Sequence, residues 1–307
     1  MELALHDPQR GYYARRIRGV GQSGDFTTTA MLTPALGKAV GAWAAAALRE
    51  TGCRDLIELG PGEGQLARAV LAALPWLQRF RVRLHLVECS QPLREKQQAL
   101  LGTCVHWHDS IEAALSACSG HACIYSNEFA DAFPVRRFRR ENDGWSELYL
   151  GPGEEWRSCA ELPDSSAFEV PHPPGQIIEV NEAYQHWLTG LTETWQAGRM
   201  LTIDYGAPAA SLYHRRPRGT LRAYLLQQRL EGPAIYENPG RQDLTADVNF
   251  TDLQRWTAPG LATVGLLTQR DFLLPYADSA QAADAHAIEP EGAGSAFLVL
   301  DQRRLLA

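Results

Sequence analysis

The sequence places carboxylates and glycines close together where an apolar stretch ends. Residues 57–66 read IELGPGEGQL, with Glu58 two positions before the first of three alternating glycines, Gly60, Gly62 and Gly64. Glycine lets the backbone turn tightly and approach a ligand closely, because no Cβ stands in the way. An apolar strand followed by such a turn and an amphipathic stretch is typical of a unit that binds a nucleotide or a nucleoside.

Several interpretations of this glycine turn compete. A dinucleotide-binding fingerprint needs a third glycine where Gln65 stands, and a P-loop needs a lysine that does not follow. A turn for S-adenosylmethionine (SAM) needs close backbone approach but no phosphate contacts. Pro61 would stiffen that turn, and Glu63 near the helix start would repel a pyrophosphate. The remaining alternative is an ordinary glycine-rich connection that binds nothing.

Two further carboxylates follow the next apolar runs. Glu88 ends the run HLVE, where it could accept hydrogen bonds from both hydroxyls of a ribose. Asp109 follows the third run, where it could meet an adenine amino group. Open α/β sheets bind ligands at the carboxyl ends of their strands, so both acids and the glycine turn would share one edge. Either acid alone would also suit a solvated loop, but the ordered set favours SAM.

The segment Asn127–Asp131 supplies candidates for acid–base chemistry. Glu128 and Asp131 are three residues apart after a predicted strand end, and they could orient an acceptor and take its proton. Asp204, at the end of another strand, is a third candidate carboxylate. The structural alternative is that the acids favour a helix N-terminus through its dipole and that Asn127 caps it.

The elements that position these residues alternate between strands and helices. An amphipathic helix at 33–50 comes first. The predicted strands are 55–60, 82–88, 104–108 and 122–127, and the predicted helices between them are 64–75, 90–101 and 111–118. This alternation predicts a parallel sheet with helices on both faces.

Two interruptions of the alternation predict inserts in one α/β core. We divide the chain into an N-terminal helical cap segment at 1–52 and a core at 53–307, with inserts at about 134–180 and 206–246. In the first insert, VRRFRR and WSELYLG flank the turn ENDG and predict a hairpin with a solvated basic face, followed by a polar surface excursion at 151–175. IIEV, a helix near 181–196 and RMLTIDYG then resume the alternation.

Composition excludes several classes of protein. The 307 residues are 45% hydrophobic and 21% charged, as in soluble globular proteins, and the net charge of -7 argues against general nucleic-acid binding. Six cysteines without a CxxC pair indicate reduced thiols, and the longest apolar run, Ala39–Leu48, is about half a membrane span. We therefore expect a cytoplasmic protein with no nucleic-acid or membrane partner.

No metal is expected, because the nearest set lacks zinc-site spacing: His106, His108, Cys118, His121 and Cys123.

The run IYSNEFADAFPV at 124–135 resembles the MidA-like family of SAM-dependent methyltransferases. The other matching stretches are DPQRGYY (7–13), GDFTTT (24–29), IELGPGEGQL (57–66), LVECSQPLREKQ (86–97), WSEL (145–148), IDYG (203–206), GTLRAY (219–224), DLTADVNF (243–250) and TQRDFL (268–273). The resemblance implies a class I, Rossmann-like methyltransferase fold: a seven-stranded sheet whose last strand is antiparallel, with an N-terminal helical segment and inserts on the substrate side.

The resemblance also implies roles for individual residues. Gly60, Gly62, Gly64 and Glu88 would hold the cofactor SAM, beside the candidates Glu58 and Asp109, and the segment carrying Gly24, Asp25 and Thr28 would fold over it. The region of Asn127, Glu128 and Asp131 would face the transferring methyl group.

The family's mitochondrial member methylates an arginine of a complex I subunit during assembly, so the resemblance implies a protein arginine methyltransferase. This chain departs from the family pattern at Ala130, at Leu225–Gln228, where a histidine is usual, and at Asp247 and Asn249. Most of these changes fall in the second insert, which we expect to shape the acceptor site. A small-molecule O- or N-methyltransferase and a non-catalytic assembly factor that keeps the SAM-binding fold remain alternatives. The expected partner is a protein or small-molecule methyl acceptor, and a homodimer is the assembly left open.

Overall fold

The computed structural model describes residues 1–7, 9–15, 33–151, 153–226 and 228–305. Within these ranges the helices are α1 Glu2–His6, α2 Tyr12–Arg15, α3 Pro34–Thr51, α4 Gln65–Ala73, α5 Trp76–Arg79, α6 Gln91–Leu101, α7 Ile111–Ala117, α8 Glu182–Thr194, α9 Ala209–Leu212, α10 Phe250–Thr257, α11 Gln269–Leu273, α12 Ala282–Ala287 and α13 Ala293–Ala296. The strands are β1 Asp55–Leu59, β2 Arg83–Val87, β3 Val105–His108, β4 Ala122–Asn127, β5 Arg136–Arg140, β6 Trp145–Leu150, β7 Glu154–Cys159, β8 Ile177–Val180, β9 Arg199–Ala207, β10 Arg222–Leu225, β11 Gln228–Leu230, β12 Asp243–Thr245, β13 Val248–Asn249, β14 Leu261–Thr268 and β15 Phe297–Arg304. None of the helices in this part of the chain has both the length and the apolar composition to cross a bilayer.

The central sheet has the strand order β14–β15–β9–β4–β1–β2–β3. Strands β3, β2, β1, β4 and β9 run parallel, whereas β15 lies antiparallel between β9 and β14. The parallel sheet and its antiparallel last strand confirm the predicted class I architecture. The short strand β13 pairs with the end of β9 and adds an eighth strand to the seven expected.

Alternate residues of the inner strands face opposite helical layers, which explains why these strands read as continuous apolar runs. Leu56 of β1 packs with α3 and α4, whereas its neighbours Ile57 and Leu59 pack with α7 and α8 on the opposite face. The hydroxyl of Thr33 caps the N-terminus of helix α3, and Gly52, in the left-handed conformation, caps its C-terminus. Although α3 falls in the predicted cap segment, it packs directly on the sheet.

The first insert forms its own antiparallel sheet, with the order β7–β6–β5–β8. The predicted hairpin is present as β5 and β6, but the expectation for IIEV is wrong, because this strand, β8, pairs with β5 instead of joining the core sheet. The polar stretch 151–175 begins at the surface, as expected, and contributes β7 as a mostly exposed edge strand. The basic run of β5 is solvated only in part, because Arg137 is buried and forms an ion pair with Glu179, whereas Arg136 and Arg139 stay partly exposed.

The second insert forms a three-stranded antiparallel sheet, β11–β10–β12, against which the N-terminal helices pack. Leu5 and Tyr12 join Ala223 and Leu244 in one apolar cluster. The insert returns to the central sheet through β13. There, Gly206 approaches Val248 so closely that a Cβ at this glycine would lie 2.0 Å from the carbonyl oxygen of Val248.

Candidate active site

A cavity of about 820 Å³ opens at the carboxyl ends of the parallel strands. Its volume suits a small-molecule ligand together with the side chain of an acceptor. We call the part beside β1, β2 and β3 the donor half; its lining includes Gly60, Gly62, Val87, Glu88 and Asp109. We call the rest the acceptor half; its lining includes Tyr13, Asn127, Glu128, Asp131, Tyr205, Arg222, Asp243 and Thr245.

The glycine turn has the geometry that its sequence predicts. Gly60, Gly62 and Gly64 have φ angles of 60°, 54° and 85°, a left-handed region that other residues enter at a cost. A Cβ at Gly60 would lie 3.0 Å from the ring of Phe129, so a side chain there would crowd the wall between the two halves. Gly64 does not line the cavity; it caps the start of α4 and donates its N–H to the carbonyl of Pro61 at 2.8 Å.

Glu58 does not reach the cavity either. Its side chain points into the core between the sheet and its helices, where it accepts a hydrogen bond from the hydroxyl of Tyr125 at 2.8 Å. Burial raises the pKa of the Glu58 carboxyl to about 8, because removal from water disfavours the charged form more than the hydrogen bond from Tyr125 favours it. The structure therefore gives Glu58 no contact with a ligand in the cavity, in contrast to the role proposed from its spacing.

Glu88 lies at the carboxyl end of β2 and lines the donor half. Its Oε1 accepts the backbone N–H of Ser90 at 2.7 Å, which fixes the side chain, and burial raises the pKa of the carboxyl to about 7. Arg94, which sequence reasoning missed, donates to the carbonyl of Glu88 at 2.6 Å and to the carboxylate of Asp109 at 2.7 Å. The predicted acids Glu88 and Asp109 are thus joined by one guanidinium. The other cofactor candidates, Gly24, Asp25 and Thr28, lie outside the described residues.

The turn after β4 carries all three predicted catalytic residues to the acceptor half. Glu128 has a φ of 54°, an unfavourable angle for a residue with a side chain, and such strain is common at functional sites. Asn127 donates to the Glu128 carboxylate at 3.0 Å, and its own buried Oδ1 has no hydrogen-bond partner within the described residues. Asp131 accepts a hydrogen bond from the hydroxyl of Thr245 at 2.6 Å, and burial raises the pKa of its carboxyl.

Asp204, the third candidate carboxylate, does not line the cavity but forms hydrogen bonds with the turn after β4. It is fully buried, and its Oδ2 accepts the backbone N–H groups of Phe129, Ala130 and Asp131 at 3.1, 2.8 and 3.3 Å. Sequence reasoning could not distinguish this role, since a carboxylate at a strand end suits both.

The remaining wall of the acceptor half comes from segments that the sequence interpretation assigned to the N-terminus and the second insert. Tyr13 donates to the carboxylate of Asp243 at 3.0 Å, and both line the cavity. Arg222 also lines it, stacks 5.2 Å above the ring of Tyr205 and forms an ion pair with Asp247. Asp247, where this chain departs from the family pattern, therefore positions Arg222, which lines the cavity. The signal that could have found Arg222 and Asp243 is their position within the matched stretches GTLRAY and DLTADVNF.

Comparison with known proteins gives a consistent result. Residues 39–267 match the family model Methyltransf_28, described as "Putative S-adenosyl-L-methionine-dependent methyltransferase". The mitochondrial "Protein arginine methyltransferase NDUFAF7 homolog" of Caenorhabditis elegans is 29% identical over 317 residues, which cover 89% of this chain and 70% of the relative. The human mitochondrial protein arginine methyltransferase NDUFAF7 is 27% identical over 321 residues, which cover 89% of this chain and 68% of that protein.

A solved structure agrees with these relatives. A protein of Burkholderia thailandensis, described as a "likely methyl transferase" and bound to S-adenosyl-homocysteine, superposes with a TM-score of 0.84 and 26% identity over 99% of this chain and 86% of that one. These findings confirm the MidA-like resemblance, the class I fold and SAM as the methyl donor. Because the family model spans well over half of the chain, this protein belongs to that family of SAM-dependent methyltransferases.

Proposed function

We propose that this methyltransferase transfers the methyl group of SAM to an arginine side chain of a protein. The observation that carries the proposal is the acidic lining of the acceptor half, where Glu128, Asp131 and Asp243 converge on one cavity. The names of the relatives point the same way, since they are protein arginine methyltransferases. An arginine guanidinium is the side chain that matches several carboxylates, because it is planar, always charged and carries five N–H donors.

The donor half fits SAM. Gly60 and Gly62 leave room for close backbone approach, and the carboxylates of Glu88 and Asp109 line the same half, where we propose that they accept from the ribose hydroxyls and the adenine amino group. When bound, SAM supplies a methyl group on a positively charged sulfur. The chain's own contribution is to hold an acceptor nitrogen in line with that methyl group at close distance.

The acceptor half has the electrostatics that a guanidinium requires. Burial raises the pKa of the Asp131 carboxyl above its ordinary value, and it raises the pKa of Asp243 to about 7, so a cation entering the cavity stabilises both ionised forms. Among the described residues that line the cavity, Arg222 is the one lysine or arginine, and Asp247 offsets its charge through their ion pair. The described lining is therefore acidic on balance.

Glu128 is the proposed base. Methylation forms an N–C bond as the C–S bond breaks, and the acceptor nitrogen loses one proton. Glu128 comes directly after the end of β4, and Asn127 orients its carboxylate, so it can accept that proton. The strained φ of Glu128 turns this side chain towards the cavity, which lies at the carboxyl end of the sheet.

The experiment that tests this function is incubation of the protein with radiolabelled SAM and a fractionated host lysate. Label in a protein band that yields methylarginine on acid hydrolysis supports the proposal. Label in the extractable small-molecule pool favours a small-molecule methyltransferase, and retained S-adenosylhomocysteine binding without any label favours a non-catalytic assembly factor.

The matched control uses two Glu→Gln variants. Glu128→Gln should keep S-adenosylhomocysteine binding and lose methyl transfer, whereas Glu161→Gln, an exposed position in the first insert, should leave both unchanged. Full activity of Glu128→Gln would remove Glu128 from the mechanism.

A cytoplasmic location and the absence of nucleic-acid, membrane and metal partners stay predictions from the sequence.

A further inference from the structure

Two carboxylates are held side by side on the acceptor wall by residues from three separate segments. Asp243 and Thr245 are two positions apart on β12, and both line the cavity. Thr245 donates to the Asp131 carboxylate at 2.6 Å, and Tyr13 donates to the Asp243 carboxylate at 3.0 Å. Residues i and i+2 of a strand share a face and lie roughly 7 Å apart, so the two carboxylates are neighbours along one strip of the wall.

We propose that Asp131 and Asp243 form a two-carboxylate clamp for the acceptor guanidinium and that Tyr13 is the positioning residue of this clamp. The proposal rests on the proposed function and adds to it the residues that recognise the acceptor. A guanidinium offers N–H groups along more than one edge, so it can donate to two neighbouring carboxylates while one nitrogen stays available. Glu128, on the turn after β4, then faces the nitrogen that receives the methyl group.

Both carboxylates are more than nine-tenths buried, yet both line the cavity. Such groups are costly when ionised, and the nearby cation Arg222 is already paired with Asp247 and leaves the pKa of both carboxyls raised, which is the reason to expect a cationic ligand at this place. The existing hydrogen bonds to Tyr13 and Thr245 orient the carboxylates, but they do not neutralise them.

The groups that face Asp243 are Tyr13 from α2, Asp131 from the turn after β4, and Arg222 and Tyr224 from β10. Burial, followed by the charge of Asp131, raises the pKa of the Asp243 carboxyl to about 7. Burial and Asp243 also raise the pKa of the Tyr13 phenol well above its ordinary value, so this hydroxyl stays a donor throughout the neutral range. Guanidinium binding should therefore strengthen as the pH rises through about 7.

The test measures binding of Nα-acetyl-arginine amide to the full chain saturated with S-adenosylhomocysteine, between pH 5.5 and 8.5, by calorimetry or NMR titration. Asp243→Asn should weaken this binding by about 10-fold or more at pH 8 and flatten its pH dependence, since it removes a charge-assisted contact. Tyr13→Phe should weaken binding by a smaller factor while keeping the pH dependence, and Asp243→Glu should restore part of the affinity. In activity assays, the KM for an arginine acceptor should rise more than kcat falls.

Two controls separate this role from a structural one. Tyr149→Phe and Asp143→Asn, exposed positions in the first insert, should change neither binding nor its pH profile. S-adenosylhomocysteine affinity should stay unchanged in Asp243→Asn, which shows that the variant is folded.

Three results are decisive. Weaker guanidinium binding with a flattened pH profile in Asp243→Asn supports the clamp. Unchanged binding and pH profile in that variant overturn the clamp but leave arginine methylation standing. A wild-type protein that binds no guanidinium and labels only small molecules overturns the proposed function, and the clamp with it.

Discussion

The carboxylate of Asp204 accepts the backbone N–H of Ala130 at 2.8 Å and thereby ties the end of β9 to the turn after β4. The same oxygen accepts two further N–H groups of that turn, and the other oxygen accepts the N–H of Tyr205 at 2.8 Å. A residue without contact to the cavity thus fixes the direction of Glu128 and Asp131.

Asp204→Asn should destabilise the protein and impair methyl transfer. The amide keeps one oxygen, but its NH₂ group must face a backbone N–H, so at least one buried donor loses its acceptor, at a cost of about 1–3 kcal/mol. We expect that loss in the free energy of unfolding from urea denaturation, together with a fall of at least about 10-fold in turnover as the turn shifts. The exposed Asp143→Asn variant is the control, and equal stability and turnover in both variants would show that the hydrogen bonds from the turn to Asp204 are dispensable.

Gly60→Ala should lower the affinity for S-adenosylhomocysteine, because the new Cβ would lie 3.0 Å from the ring of Phe129 on the cavity wall. Gly52→Ala is a matched control, since this glycine is also left-handed, with a φ of 72°, but a Cβ there would meet no atom of the described residues within 4 Å. Each variant places a side chain at a left-handed position, which costs about 1–2 kcal/mol. Calorimetry should therefore show weakened binding only for Gly60→Ala, and equal affinities would contradict the close-approach role of the turn.

Glu88→Ala should lose about 10- to 100-fold in affinity for S-adenosylhomocysteine, the range for hydrogen bonds to a charged acceptor. Because the pKa of Glu88 is raised to about 7, the wild-type carboxylate is protonated as the pH falls below 7, and the affinity should fall with it. Titrations at pH 6 and pH 8 should show this dependence in the wild type and none in Glu88→Ala. A wild-type affinity that is independent of pH would argue against a ribose-binding carboxylate at this position.

Glu58→Gln should stabilise the protein at alkaline pH. The folded-state pKa of about 8 exceeds the ordinary value of 4.5, so the folded state holds its proton more tightly than the unfolded state. The wild type therefore loses free energy of unfolding as the pH rises from about 4.5 to 8, at roughly 1.4 kcal/mol for each unit. The neutral amide can still accept from Tyr125. Urea denaturation should show similar stabilities at pH 5 and a variant more stable by a few kcal/mol at pH 9; a less stable variant at pH 9 would show that the ionised carboxylate is compensated.

The donor half could be predicted from the sequence largely because its signals are local. A glycine turn and an acid at the next strand end, such as Gly60 and Glu88, lie a few residues from the strands that carry them, and parallel strands bring their carboxyl ends to one edge. The direction in which a buried acid points depends on residues that are distant in the sequence. Glu58 therefore lies in the core beside Tyr125, although its spacing suggested a ligand contact.

The acceptor half depends on long-range packing. Tyr13 and Asp243 are 230 residues apart in the sequence, and only the docking of α2 on the second insert brings them together. The strand IIEV shows the same difficulty in the fold, because alternation predicts a strand but does not say which sheet it joins. The burial of Arg137 in β5 could not be predicted for a similar reason, since its partner Glu179 lies 42 residues away in the sequence.

The second insert leaves the central sheet at Gly206 and re-enters it at Val248, and these two residues are register partners. The chain therefore leaves and rejoins the central sheet at neighbouring positions, and the strands between them, β10, β11 and β12, form one inserted unit, which we call the cassette. Because the cassette contributes Arg222, Asp243 and Thr245 to the cavity wall, we expect that exchanging it between homologues alters which acceptors are admitted, while the spacing of β1, β2 and β3 stays unchanged.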